Sequence, residues 1–411
     1  MRPDRLGPGL ITGAADDDPS GIATYSQAGA GFGFGMLWTV VVTFPLMTAI
    51  QMISARIGLV TRHGLAANIR RAFPRGVTFT LVALLVIANT LNVSADIAAM
   101  GEAMQLLAGG SQTLYSIGFG VLCLGLQVFL PYRRYVRWLK WLTLSLLAYV
   151  GVAFALDIDW LRVARSVLMP SLMLDREALL MIVAVFGTTI SPYLFFWQAG
   201  QEMEDTRGNG IDTPEGLRRQ LRRIRWDTVV GMAASNLVAF FIILSTAATL
   251  HTHGAVHIET AAQAAEALRP LAGPFTFALF SLGIIGTGLL AVPVLAGSAA
   301  YAAAEALGFE GTLSARLEAG EGKGFYSIIA LSTLGGVLLS LSPGHAVQQL
   351  FWAAVLNGVI AVPIMAVMML LAGRRDIMGD QAIHGGLRGL GWLSTAAMAA
   401  AVIGLFVVSP G

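Results

Sequence analysis

The chain has 411 residues, of which 56% are hydrophobic and 12% charged, with a mean hydropathy of +0.71 and a net charge of +2. Soluble globular proteins carry ~25% charged residues, so this composition excludes a cytosolic enzyme and a disordered chain. Cys123 is the single cysteine, which excludes a disulfide-stapled secreted domain and a Cys-based metal cluster. The near-neutral charge offers nothing to nucleic acid. What remains is an all-α integral membrane protein whose surroundings are the lipid bilayer.

Apolar stretches long enough to cross as helices lie roughly at 10–33, 36–60, 77–107, 114–130, 137–156, 178–204, 227–250, 275–305, 324–342, 345–373 and 387–409, about eleven spans. The runs are continuous rather than alternating, which argues against a β-barrel. The first run contains Asp16, Asp17 and Asp18, which a cleaved signal peptide would not. Of the 26 Lys and Arg residues, only Arg162, Arg165, Arg176 and Arg269 fall after odd-numbered spans. Those after even-numbered spans include Arg62, Arg70 and Arg71, then Arg133, Arg134, Arg137 and Lys140, then Arg207, Arg218, Arg219 and Arg223, then Arg374, Arg375 and Arg388. Basic residues stay on the cytoplasmic side, so the expected N-terminus is cytoplasmic and the C-terminus outside, in a cell inner (plasma) membrane. Loops are short. The stretches at about 205–226 and 251–274 have room for short amphipathic helices. No GxxxxGK[ST] loop occurs, so no ATPase is built in and none is required as a partner.

The first span carries Gly13-Ala14-Ala15-Asp16-Asp17-Asp18-Pro19-Ser20-Gly21-Ile22-Ala23-Thr24. An Asp at mid-bilayer costs about 2.5–3.5 kcal/mol on insertion scales, and Pro and Gly break the helix and free backbone carbonyls. Carboxylate and carbonyl oxygens suit a small hard cation; the plainer reading is a polar kink. The sixth span has a matching break at Phe186-Gly187-Thr188-Thr189-Ile190-Ser191-Pro192-Tyr193. Paired interrupted helices in corresponding positions of two halves point to a midplane transport site. Five spans per half imply inverted repeats, at about 7–156 and 178–373, within one transmembrane domain over 1–411, with an extra helix at about 387–409.

Gly7-Pro8-Gly9, Asp18-Pro19-Ser20-Gly21-Ile22-Ala23-Thr24, Gln27-Ala28-Gly29-Ala30 and Leu37-Trp38 resemble the first helices of the Nramp divalent-metal transporters. Ser191-Pro192-Tyr193-Leu194 matches in position the family's Met-Pro-His-Asn motif. Ser94-Ala95-Asp96-Ile97-Ala98 resembles its Asp-Leu-Ala-Glu segment, and Asn357-Gly358-Val359-Ile360-Ala361-Val362-Pro363-Ile364 resembles its tenth helix. The resemblance implies a LeuT-type fold with broken first and sixth helices, and a transporter rather than an enzyme. It also implies an ion held by Asp18, by the carbonyls of Ala15 and Thr188, and by the positions of Gly21 and Ser191. The family's Asn ligand is replaced by Gly21 and its Met sulfur by Ser191. Losing sulfur removes a preference for soft metals, and losing two side-chain ligands leaves room for the waters that Mg2+ keeps. The pattern is similar to the Nramp-related magnesium transporters, which move Mg2+ and Mn2+; the transported ion is the only metal implied, and no cofactor is.

Asp16 and Asp17 either hold a hydrated ion through water, or line its entry, or face a polar crevice. Asp96 matches the family's third-helix Asp, but the family's Glu position is Ala99, and its sixth-helix His positions are Tyr193 and Gln198. Tyr and Gln do not titrate in the needed range, so the expectation is uncoupled transport driven by membrane potential. A dication crossing 100 mV gains about 4.6 kcal/mol. Glu102 either replaces the lost Glu or ends its span in solvent, and Asn357 is a second-shell candidate towards the ion. Gln201-Glu202-Met203-Glu204-Asp205 reads as an exposed acidic helix end or a cation exit. Glu305 reads as a solvated span end, and Asn89 and Asn92 as helix–helix hydrogen-bonding groups. His251, His253 and His257 read as an ordinary loop or a Zn2+ site, and Trp38, Trp138, Trp141 and Trp160 as interface anchors. A proton-coupled Mn2+/Fe2+ importer, an organic-solute symporter of the same fold and a membrane sensor are the rival readings.

Overall fold

The computed structural model describes residues 7–129, 142–170, 175–206, 213–254, 257–309, 322–342 and 344–408. Arg133, Arg134, Arg137, Lys140, Trp138, Trp141 and Arg207 lie outside them. The described residues are almost wholly helical. The first span is two helices, α1 (Pro8–Asp16) and α2 (Pro19–Phe32). Then come α3 (Leu37–Thr61), the short α4 (Leu65–Ala72), α5 (Arg75–Ala108), α6 (Gln112–Phe129) and α7 (Leu147–Ala155). A surface helix, α8 (Trp160–Leu168), precedes the sixth span, which is again two helices, α9 (Arg176–Thr189) and α10 (Pro192–Thr206). The chain continues through α11 (Pro214–Thr249), α12 (Thr276–Leu307), α13 (Lys323–Ser340), α14 (Ala346–Ala372) and α15 (Gly385–Val407).

Among the described residues nine segments are long and apolar enough to cross a membrane, or ten if a bent pair counts as one. One of the nine, Pro19–Thr61, is 43 residues long. At 1.5 Å per residue this is about twice the hydrocarbon thickness, and it divides at Gly33, whose φ of +58° turns the chain between α2 and α3. The bent pair is Leu144–Ala155 with Trp160–Leu168, at 116°, so α8 leaves the line of the fifth span. With Pro19–Thr61 counted as two, the described helices answer ten of the eleven expected spans; the fifth, at about 137–156, begins outside the described residues and is met over its described part by Leu144–Ala155. The loop at 251–274 contains the short helices Ala261–Ala265 and Arg269–Ala272. The seventh helix starts earlier than expected, at Pro214, capped by the Thr213 side chain.

The second half of the broken first span packs on α11, and the second half of the broken sixth span packs on α3; α5 packs against α12, and α9 against α14. The spans so paired are one with seven, six with two, three with eight and six with ten. Backbones come close where glycines face each other. A methyl group on Gly13 would lie 2.3 Å from the Gly231 carbonyl oxygen, and one on Gly187 would lie 2.1 Å from that of Ala354. Such contacts are how helices associate without a hydrophobic driving force.

Two expectations about polar residues change. Glu305 is not solvated: its carboxylate accepts the Ala67 N–H at 3.0 Å, at the start of α4. The acidic end of the sixth span is not exposed either. Glu202 is fully buried and ion-paired to Arg223 of α11, Asp205 lies 3.6 Å from the same guanidinium, and Tyr301 donates to Glu204. Burial of such charges requires partners, and these come from helices remote in sequence. Asn89 does join two helices, donating to the Leu295 carbonyl of α12 at 2.9 Å. His251 and His253 bond to the carbonyls of Ala30 and Thr249.

Candidate metal site

The two breaks face each other inside the bundle. Pro19 cannot continue α1, so α1 ends at Asp16 and α2 begins afresh with Asp18 as its N-cap. Asp18 Oδ1 accepts the Gly21 N–H at 2.8 Å and the Ser20 hydroxyl at 2.6 Å, satisfying donors that a helix start leaves open. Its Oδ2 accepts from the Tyr193 hydroxyl at 3.4 Å, across the gap from α10. All these donors are neutral, and Asp18 is 1% exposed.

In the sixth span, α9 ends at Thr189 and α10 restarts at Pro192. The Ser191 hydroxyl turns back onto the carbonyls of Gly187 and Thr188, at 2.7 and 2.8 Å. The Thr188 hydroxyl lies 3.3 Å from that of Ser20, and the Thr189 hydroxyl 2.9 Å from that of Tyr25. The Tyr193 hydroxyl donates to the Ala15 carbonyl at 3.0 Å. A side chain on Gly21 would begin 3.4 Å from both the Asp16 carbonyl oxygen and the Thr188 hydroxyl.

The structure thus brings Ala15, Asp18, Gly21 and Thr188 to one place. Ser191 sits at its edge, with its proton committed to backbone oxygens. Asp17 turns elsewhere: the Ser235 hydroxyl of α11 meets Asp16 Oδ2 at 2.6 Å and Asp17 Oδ1 at 3.0 Å. Among the described residues no three Asp, Glu, His or Cys side chains converge as a metal-holding group; Asp18 is the carboxylate that the hydrogen bonds place between the two breaks. Asp96 on α5 is fully buried, has no hydrogen-bond partner among the described residues, and lies within electrostatic reach of Asp18.

The other candidates have their own surroundings. Glu102 accepts the Ala261 N–H at 2.8 Å, holding the start of the short helix Ala261–Ala265. With Ala23, Ala99, Phe280 and Val347 it lines a small pocket. Gln198 donates to Thr228 of α11 at 3.0 Å. Asn357 is buried beside the Gly187–Gly358 contact between α9 and α14. Sequence reasoning gave Ser20 and Ser235 no part in the site and read Tyr193 only as a replaced histidine. Ser20 and Tyr193 each stand beside a break proline, a usable signal; Ser235 sits in an unbroken helix and offers none.

The family model described as Nramp, natural resistance-associated macrophage protein-like, matches residues 9–408. The chain belongs to the Nramp family. Among its Nramp relatives, the divalent metal cation transporter MntH of Yersinia enterocolitica (serotype O:8 / biotype 1B) is 30% identical over 295 residues, 69% of this chain and 68% of that protein. The protein of the same name from Klebsiella pneumoniae (strain 342) is 28% identical over 293 residues, with the same coverage. The crystal structure of the Eremococcus coleocola manganese transporter, in complex with an aromatic bis-isothiourea substituted compound, matches with a TM-score of 0.76 at 16% identity. The match covers 99% of this chain and 88% of that one. Mhp1, a nucleobase-cation-symport-1 family transporter in a closed conformation, matches at 0.61 and 12% identity, over 99% of this chain and 94% of that one. The fold of this Nramp member is therefore the LeuT-type fold of a multi-pass membrane protein, with the broken helices described above.

Proposed function

We propose that this Nramp member carries a divalent cation across a membrane by alternating access, that the cation is Mg2+ with Mn2+ also accepted, and that no proton is coupled. The observation that carries the reading is the junction itself. A buried carboxylate, Asp18, is met only by neutral donors, beside the carbonyl-bearing ends of two broken helices. A buried carboxylate without a cationic partner is costly, and a dication entering from water removes that cost. Support for the divalent class comes from the relatives, which are named divalent metal cation transporters, and from the neighbouring structure, which is named a manganese transporter. Support for Mg2+ comes from Gly21 and Ser191, which supply neither an amide oxygen nor sulfur and leave room for water. The branch resembling magnesium transporters, the inner-membrane location and the cytoplasmic N-terminus belong to the same reading.

Uncoupled transport follows from Ala99, Tyr193 and Gln198, none of which relays protons near neutral pH. The second reading, a proton-coupled Mn2+ importer, is favoured by Asp96, a buried carboxylate within reach of Asp18. The deciding experiment reconstitutes the protein in liposomes with Mg2+ and Mn2+ indicators and a pH dye. Entry of both ions without acidification is expected; Mn2+ entry with acidification and no Mg2+ flux would overturn the reading in favour of the second.

A further inference from the structure

The carbonyls of Ala15 and Thr188 end the two half-helices at the junction, and each is met by a side-chain hydroxyl. Tyr193 donates to Ala15 at 3.0 Å and Ser191 to Thr188 at 2.8 Å. Neither donor is free to swing away. The Tyr193 side chain is fully buried, and its own carbonyl accepts from Ser298 of α12 at 2.7 Å. The Ser191 hydroxyl is shared with the Gly187 carbonyl at 2.7 Å. Tyr193 also reaches Asp18 Oδ2 at 3.4 Å, so one phenol touches both the carbonyl and the carboxylate.

We propose that the Tyr193 and Ser191 hydroxyls act as caps on the Ala15 and Thr188 carbonyls, that they keep the transported ion in contact with the protein largely through its own water, and that they thereby select the ion that keeps its water. The proposal rests on the reading of the junction as a divalent-cation site. The physical basis is competition for lone pairs. A carbonyl that already accepts a hydrogen bond has one lone pair left and is a weaker direct ligand for a cation. The phenol oxygen, having donated its proton to Ala15, can accept from a metal-bound water. Mg2+ dehydrates reluctantly and tolerates such a site, whereas Ca2+ takes backbone carbonyls among its six to eight oxygens in flexible geometry and gains from bare ones. Tyr193 and Ser191 are in this sense positioning residues for the ion's water.

The test uses the full chain in liposomes with two variants. Tyr193→Phe keeps the ring and removes the donor at Ala15; Ser191→Ala removes the donor at Thr188. The ratios of Ca2+ to Mg2+ uptake and of Mn2+ to Mg2+ uptake are expected to rise about fivefold in each variant, the factor for one net hydrogen bond. Electron paramagnetic resonance of Mn2+ bound to Tyr193→Phe, in deuterated water, is expected to count fewer coordinated waters than in the wild type. A purely structural role would lower all fluxes together and leave both ratios and the water count unchanged. Unchanged ratios in both variants, with the wild type still moving Mg2+ and Mn2+, would overturn the capping proposal and leave the transport reading standing. A wild type that moves no divalent ion would overturn both.

Discussion

The two helix breaks use the same device to opposite electrostatic ends. In the first span the residue before the proline is a carboxylate, and Asp18 reaches forward to cap the start of α2. In the sixth span the residue before the proline is a serine, and Ser191 reaches back to the last carbonyls of α9. The first break therefore concentrates negative charge, whereas the second is neutral and tied down. A site between them has a charged wall and a polar wall; under the proposed function, the first would read the charge of a ligand and the second its hydration.

The comparison breaks most completely at Asp18. Asp18→Ala removes both cap and charge, and uptake should fall more than about a hundredfold, because even outer partners of metal sites are worth 10–100-fold. Asp18→Asn keeps a good N-cap and removes only the charge. Its melting temperature should match the wild type while its uptake is equally lost; full uptake by either variant would remove Asp18 from the site. Ser191→Met makes the neutral break soft. It uncaps Thr188 and adds a thioether, and preference should move about tenfold towards Mn2+ or Cd2+ over Mg2+, read from competition assays. Ser235→Ala takes the shared donor from Asp16 and Asp17; leaving buried acceptors unmet costs about 1–3 kcal/mol, visible as a lower melting temperature in detergent. The smallest effect belongs to Thr189→Val, which removes the hydroxyl facing Tyr25. It should cost ~1 kcal/mol of stability and change the Mn2+ to Mg2+ uptake ratio by less than about twofold. A larger change in that ratio would place Thr189 with the hydration-reading wall.

Much of this architecture is legible in the chain because proline, glycine and aspartate inside an apolar run have few meanings. Pro19 and Pro192 mark the breaks, and basic residues alternate with the spans. What could not be read were contacts made across the fold. Glu202 and Glu305 read as solvated because a carboxylate at a span end usually is; their partners, Arg223 and the start of α4, lie on other helices. The placement of Tyr193 against Ala15 depends on how α10 is set against α1, the two residues being 178 positions apart. The helix α4 was missed because eight residues are too few for a periodic signal, although Leu65, Ala66 and Ile69 are all buried. Asp17, read as holding a hydrated ion, lining its entry or facing a polar crevice, depended on the same kind of contact. Its neighbour enters the junction, while its own side chain shares Ser235 with Asp16.

The facing glycines of α1 and α11 bear on how the first half-helix can move. At Gly9, Gly13 and Gly231 the two helices meet backbone to backbone. Interlocked side chains resist displacement because each must leave its rotamer well before its neighbour can pass. A strip without side chains has no such teeth. The backbone contact itself therefore sets no rotamer barrier to a slide or tilt of α1, and what fixes the helix along α11 is polar: Asp227 accepts the Gly9 N–H at 3.3 Å and Ser235 donates to Asp16 at 2.6 Å.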